Sequence, residues 1–258
     1  DLPLCINQYC SVMRWESFKP NMPLLMGNEF LWQESHSVHA TEHEADEYAK
    51  SVFKIYLELH EKYLAMPVIR GFKPEQRRFP GARYTMALEA LMPDLKSVQS
   101  STSHSLGQNF SFVFNIKFKD KNGKEKLAWQ ACNGVTTRLI GAMIMMHSDD
   151  NGLVIPPRIA PYQVVLIENY DGVLKLLNNE KMNYFVDNSR KSAEEKIQYW
   201  ILMGTPIIIL KNKNSFTLIR RDTLEKISVK RNSLIKIILK MLDSIQNNLL
   251  KKAKEFNK

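Results

Sequence analysis

Two alternating runs near the N-terminus constrain this chain most. Leu4, Ile6, Gln8, Cys10, Val12 and Arg14 lie on one parity, and Glu29 to His39 resumes the pattern. Alternation of period two places successive side chains on opposite faces of a half-buried strand. Lys19 to Gly27, with two prolines and a glycine, reads as the loop between them. Two strands joined in this way bring an arginine against an aromatic, Phe30, and two acids, Glu29 and Glu34. Such a place suits a planar, anionic ligand.

The rest of the first part continues in the same style. Thr41 to Glu44 is a capping box, and Ala45, Tyr48, Ala49, Val52, Tyr56 and Leu59 follow at helical spacing to about Leu64. His43 and His60 on this helix suit surface or packing roles. Val68–Phe72 and Tyr84–Met92 read as strands, Ser97–Ser103 as a polar loop, and Phe110–Phe118 as a strand. Asp120 to Gly123 reads as a hairpin turn returned by Lys126–Ala131, and Thr137–Met146 as a buried helix. The result is an α+β architecture built on an antiparallel sheet.

Ile155 to Pro161 holds three prolines and forms a stiff boundary. Beyond it the runs become continuous. Val164–Ile167 and Pro206–Leu210 read as apolar strands, Ser192–Met203 as a helix, and Phe216–Arg220 with Lys226–Val229 as a hairpin. An amphipathic helix from about Ser233 to Phe256 closes the chain. This rhythm predicts a small three-layer α/β domain.

Charge divides the same way. Residues 161–258 carry 18 Lys and Arg against 10 Asp and Glu, whereas residues 1–160 carry 18 against 17. A polyanion partner or a solvated lysine-rich face both account for that excess. No apolar run reaches the length of a membrane helix, and neither a basic nor an apolar leader region precedes the first strand. Three cysteines without C-x-x-C spacing fit a reducing cytoplasm and no zinc framework. The first residue is not Met and sits in a run that reads as strand, so a longer parent is expected.

Several residues could carry chemistry. Arg14 is a planar fork for phosphate and carboxylate, or an ion-pair partner of Glu16 or Glu29. Phe30 and Arg138 could flank a flat ring. Thr136 and Thr137 either cap the following helix or, with Arg138, make an anion site at its N-terminus. Gln99, Thr102, Ser103 and His104 lie in the polar stretch, where small hydroxyls permit close approach of a ligand. No triad order, H-E-x-x-H, P-loop or G-x-G-x-x-G string is present.

Longer strings resemble prolyl-tRNA synthetases of the eukaryotic and archaeal type, within class II aminoacyl-tRNA synthetases. Asp1–Leu4, Ile6–Gln8, Arg14–Glu16, Asn28–Glu34 and His39–Glu42 are similar to the motif 2 region. Phe79–Thr85, Glu89-Ala90, Thr102–His104 and Leu106–Phe110 match the next block. Gly134–Arg138, Ile140-Gly141 and Gly152–Arg158 look like motif 3 and its linker. Trp200, Gly204–Pro206, Arg220–Thr223 and Glu225–Ile227 resemble the anticodon-binding domain.

The resemblance implies a partial class II catalytic core at 1–158, lacking motif 1, and an anticodon-binding domain at 159–258. It implies a cytoplasmic enzyme that activates proline with ATP and Mg2+ and charges tRNA(Pro), without a membrane and as a homodimer at full length. Arg14 and Arg138 would be catalytic. Arg14, Phe30, Gln99, Thr102, Thr136 and Arg138 would hold ATP, with Gln99 meeting magnesium indirectly. Arg14, Trp32, Glu34, His36, Phe79 and His104 would line the proline pocket. The alternative is an impaired derivative kept as a tRNA-binding or regulatory module.

Several positions depart from the family pattern. Met26-Gly27-Asn28 stand where a second arginine is usual, Ser35 replaces a glycine, and Asn133 replaces a tryptophan. The segment after Leu210 is short. Motif 1, a proline-amine loop and a C-terminal zinc-type module would lie outside this sequence.

Overall fold

The computed structural model describes residues 1–15, 24–25 and 27–256. Glu16 and Met26, named above, lie outside the described residues. The chain divides into two units, one of residues 1–60 and 68–143, the other of 61–67 and 144–258.

The first unit is built on one six-stranded antiparallel sheet. Its strands are β1 (Leu4–Met13), β2 (Glu29–His39), β3 (Ile69–Phe72), β4 (Tyr84–Leu91) and β5 (Ser97–Gly107). After the short helix Asn109–Val113 come the hairpin strands β6 (Lys117–Lys119) and β7 (Glu125–Leu127), then β8 (Trp129–Thr136). The sheet order is β1-β2-β8-β5-β4-β3. Helix α1 (Glu42–Glu58) starts at the expected capping box, with Thr41 and Glu44 bonding reciprocally. Its buried residues, Ala45, Ala49 and Tyr56, face the sheet, where Ala49 packs with Met86 and Ala131.

A π-helical turn, Leu59–Tyr63, extends α1, and His60 is its buried residue. His60 Nδ1 pairs with the Tyr56 carbonyl at 2.6 Å and Nε2 with Ser100 Oγ at 2.7 Å. A packing role is therefore what this histidine has. Burial pushes its pKa down.

The polar stretch Ser97–Ser103 is not a loop. It is the start of β5, a central strand. Small hydroxyls are at home there because they pack beneath α1 and find partners: Ser103 Oγ donates to the Ala49 carbonyl at 2.7 Å. Phe110–Phe118 is not a strand. Its aromatic alternation imitates period two, yet the chain turns through a short helix and leaves Phe112 and Phe114 exposed. Gly134 lies within β8. Helix α3 (Arg138–His147) follows where a buried helix was expected; the intervening short helix Asn109–Val113 is α2. Gly141 on α3 lets Leu24 and Leu25 come close, since a Cβ there would meet their side chains at 3.0–3.1 Å.

The second unit carries β9 (Val164–Leu166), α4 (Asp171–Asn179), β10 (Tyr184–Val186), α5 (Ala193–Leu202), β11 (Ile207–Lys211), β12 (Phe216–Arg220), β13 (Lys226–Val229) and α6 (Leu234–Phe256). The sheet order is β10-β9-β11-β12-β13, parallel over the first three strands and antiparallel over the rest. Val164, Leu166, Ile207 and Ile209 pack with residues of α4 and α6. Val165 and Ile208, of opposite parity, pack with Trp200 and Ile201 of α5. The sheet is covered on both faces, which explains its continuous apolar strands and gives the expected three layers. Helix α4 and strand β10 were not anticipated, because the polar run from Asn178 to Lys181 between them hides both.

Candidate active site

The site lies on the face of the six-stranded sheet opposite α1. Phe30, Trp32, Glu34 and His36 alternate along β2, and Gln130, Cys132, Gly134 and Thr136 alternate along β8. On β5 the residues at the face are Gln99, Thr102, His104 and Leu106. Gln99 and Thr102 are three apart, which a regular strand would put on opposite faces. A β-bulge resolves this: Leu88 pairs with Ser101 and Glu89 with Gln99, so Ser100 has no residue opposite. Ser100 Oγ is held from behind by His60 and donates to the Leu88 carbonyl.

Two adjoining cavities open on this face. The larger, about 530 Å³, includes Arg14, Trp32, Glu34, His36, Phe79 and His104 in its wall. The smaller, about 310 Å³, includes Arg14, Phe30, Gln99, Thr102, Thr136 and Arg138. Arg14, Trp32, Gln99, Thr102 and Gly134 line both. Each of the two residue sets expected from the sequence therefore falls in one cavity, and Arg14 stands where they meet.

Arg14 follows β1. Its backbone N–H donates to the Asn28 carbonyl at 2.7 Å, and its guanidinium lies 5.3 Å from the Phe30 ring centroid. Arg138 begins α3, where its own N–H donates to Thr136 Oγ1 at 3.2 Å. Its Nε donates to the Leu25 carbonyl at 2.9 Å and Nη1 to that of Gln99 at 3.4 Å. Thr136 thus does serve the helix start. Two cations in the wall of the small cavity, with hydroxyl and amide oxygens in the same wall, suit a polyphosphate.

His104 sits at the base of the larger cavity. Thr85 Oγ1 accepts from the Phe79 N–H at 3.1 Å, which leaves its hydrogen for His104 Nδ1 at 2.8 Å. With Thr85 as the donor in that pair, the His104 hydrogen sits on Nε2, a donor toward ligand. Burial, then the neighbouring His36, push the His104 pKa down to about 4. The ring stays neutral at pH 7 and lies 5.0 Å from that of Phe79.

The depressed His104 pKa links its proton to folding. Below pH 6.5 the unfolded imidazole takes up a proton that the folded one refuses, so stability falls from there until about pH 4. The expected loss from this group between pH 7 and 4.5 is about 2 kcal/mol. Urea titrations at both pH values should show a smaller acid loss in His104→Gln than in the unsubstituted chain; equal losses would contradict the assignment.

Residues that sequence reasoning passed over also line the large cavity. Cys132, to which sequence reasoning gave no role in a site, approaches Glu34 and His36. Its Sγ donates to Glu34 Oε1 at 3.7 Å, and burial followed by the Glu34 charge pushes its pKa up to about 12. Lys73, Arg77 and Arg78 line one wall. Only the period-two parity of β8, through Gln130, Cys132 and Gly134, pointed at Cys132. Ser35 and Asn133, the departures from family pattern, have the opposite parity. They are buried and bonded to each other, Asn133 Nδ2 to Ser35 Oγ at 3.1 Å, away from both cavities.

Two adjoining cavities set into one face of an antiparallel sheet, with Arg14, Trp32, Gln99, Thr102 and Gly134 common to both walls, are the geometry to set beside known proteins. Residues 1–147 match the family of tRNA synthetase class II core domains for Gly, His, Pro, Ser and Thr, and residues 153–241 match the anticodon-binding domain. The chain belongs to the class II tRNA synthetases. Within that class it is similar to proline–tRNA ligases. It is 41% identical to that of Porphyromonas gingivalis over all of this chain and 56% of the relative, and 43% identical to that of Parabacteroides distasonis over 98% and 55%. A solved prolyl-tRNA synthetase from Cryptosporidium parvum, complexed with halofuginone and AMPPNP, superposes with a TM-score of 0.92 at 37% identity, covering 98% of this chain and 55% of its own. The chain spans about half the length of the curated relatives it matches. Among the described residues no helix is long and apolar enough to cross a membrane.

Proposed function

We propose that this chain supplies the ATP- and proline-binding face of a proline–tRNA ligase and the domain that reads its tRNA. The observation that carries this is the shared wall: a nucleotide-sized cavity and an amino-acid cavity meet at Arg14. The division of labour falls at the proline-rich connector, with 1–158 catalytic and 159–258 binding the anticodon.

ATP lies in the smaller cavity. Adenine stacks on Phe30 with Arg138 on its other face, and Gln99, Thr102 and Thr136 face its phosphates and ribose. The oxygen donors there, Gln99, Thr102, Thr136 and the Glu29 carboxylate, fit a hard cation such as Mg2+, which Gln99 would meet through water. Bound magnesium would supply charge neutralisation on the phosphates. Proline lies in the larger cavity among Trp32, Glu34, His36, Phe79 and His104, with neutral His104 donating from Nε2.

Arg14 holds the proline carboxylate and the α-phosphate together. A carboxylate oxygen then attacks the α-phosphorus in line, the bond to the β-phosphate oxygen breaks, and prolyl-adenylate and pyrophosphate form. The terminal ribose hydroxyl of tRNA(Pro) next attacks the prolyl carbonyl and releases AMP. No protein nucleophile is needed; positioning and electrostatics lower the barrier. The basic excess of residues 161–258 suits the tRNA, the full-length protein acts as a homodimer, and the setting is cytoplasmic. The reading as an impaired derivative has less support, because Ser35 and Asn133 lie under α1 and not in a cavity. Proline-dependent exchange of pyrophosphate into ATP by the full-length protein tests the reading; no exchange above a proline-free control would sink it.

A further inference from the structure

Glu34, His36 and Cys132 bring a carboxylate, an imidazole and a thiol within 4.8 Å of one another. They come from facing positions of β2 and β8, where His36 pairs with Cys132 and Glu34 with Gly134. Cys132 Sγ is 3.7 Å from Glu34 Oε1 and 3.7 Å from His36 Nε2, and His36 Nε2 is 3.2 Å from Glu34 Oε2.

Those separations, taken to the two oxygens of one carboxylate, approach the edges of a small tetrahedron. With Zn–S of about 2.3 Å and Zn–N or Zn–O of about 2.0–2.2 Å, tetrahedral angles give S···N and S···O edges of about 3.6 Å and an N···O edge of about 3.4 Å. The three separations lie within a few tenths of an ångström of these values, with Glu34 turning Oε1 to Cys132 and Oε2 to His36, so a rotation of the carboxylate brings one oxygen to both partners on strands whose register fixes their bases. Gln8 Nε2 donates to Glu34 Oε2 at 3.1 Å and supports the carboxylate from outside. One soft thiolate beside an imidazole and a carboxylate selects zinc or cobalt over magnesium or calcium. Three protein ligands leave the fourth position open, and all three line the larger cavity.

We propose that Glu34, His36 and Cys132 bind a zinc ion inside the amino-acid cavity, with water or an incoming amino acid at the fourth position. Coordination displaces the Cys132 proton to solvent. The ion occupies space that the side chains would otherwise present to ligand, so metal and proline exclude each other. That exclusion rests on the proposed function; the metal site does not.

Cobalt is the probe, because a tetrahedral Co2+ thiolate site has visible ligand-field bands and a near-ultraviolet thiolate-to-metal band. Cobalt titration of the chain should develop both, and zinc should bleach them. Cys132→Ser should lose the thiolate band, and His36→Gln should keep it but bind at least about tenfold more weakly. Cys5→Ser, at an exposed position, should change nothing. Absence of the bands at excess cobalt, or a thiolate band that survives Cys132→Ser, overturns the site. His36→Gln keeps the thiol, so an unchanged affinity in that variant overturns it even if Cys132→Ser does not fold. Proline with ATP should raise the apparent dissociation constant for cobalt. In a protein that exchanges pyrophosphate, bands unmoved by saturating proline overturn the exclusion. In a protein without exchange, the site is still decided by the bands while the functional reading falls.

Discussion

Arg14→Ala in the full-length protein is expected to lower kcat/KM for proline-dependent pyrophosphate exchange on the order of 10²–10³-fold. The guanidinium lines both cavities and stands 5.3 Å from the Phe30 ring. In the proposed reaction it holds the attacking carboxylate and the phosphate under attack, so its removal costs orientation and charge stabilisation in the same step. Arg14→Lys keeps the charge and loses the planar fork. It should recover part of the rate but not all, because a point charge cannot hold two oxyanions in fixed geometry. Calorimetry should show weaker ATP binding for Arg14→Ala. Alanine retains the backbone N–H bond from residue 14 to the Asn28 carbonyl and loses the guanidinium contact with Phe30, so a circular dichroism spectrum and urea midpoint of the variant separate a folding effect from a catalytic one. A loss under tenfold with unchanged ATP affinity would place the bridging cation elsewhere.

Legibility of the chain followed the physics of each element. Alternation on β1 and β2 exposed the strands and the parity of Phe30, Trp32, Glu34 and His36, because period two is a direct image of the pleat. The capping box at Thr41 exposed one helix start, which formed; the box that starts α5, Ser192 with Glu195, was found only in the structure. β5 was misread because its hydroxyls look like loop chemistry when their partners across the sheet and on α1 are not known. The same strand hides the bulge at Ser100, a register event between strands with no local signature. The helix at Asn109–Val113 was misread for the opposite reason. Its aromatics alternate in sequence, but Phe110 turns in to face Phe79 at 6.2 Å while Phe112 stays in solvent. Gln99, Thr102 and His104, expected to meet a ligand, do line the cavities, although the strand that carries them was not expected. The resemblance flagged Ser35 and Asn133 separately. Only the structure shows them as one unit, in which Asn133 donates to Ser35 and its amide oxygen lies against the Ser103 hydroxyl.

In the second unit the largest stability effect is expected from Asp149→Ala. Arg221 is 1% exposed, a cation taken almost wholly out of water. Its Nη1 and Nη2 donate to the two oxygens of Asp149 at 2.9 and 2.6 Å, Nε donates to the Ile201 carbonyl at 2.8 Å, and Nη2 also reaches the Gly152 carbonyl at 3.1 Å. The pair is bidentate, and its carboxylate, seated in a turn closed between Asp149 and Gly152, is partly open to solvent. Alanine would leave the guanidinium buried with carbonyls alone. Breaking a buried pair from one side costs about 3–5 kcal/mol; with Asp149 partly solvated, the low end, about 3 kcal/mol, applies. Asp149→Asn keeps one acceptor and should fall between. The hydrogen bond from Arg221 holds the Asp149 carboxyl below its ordinary value of 3.8, so this stabilisation is present above that pH and is lost as pH drops through the lower folded value. Trp200, the one tryptophan in residues 144–258, reports unfolding of this unit in urea. A midpoint for Asp149→Ala within about 1 kcal/mol of the unsubstituted chain would mean that the two carbonyls already satisfy Arg221.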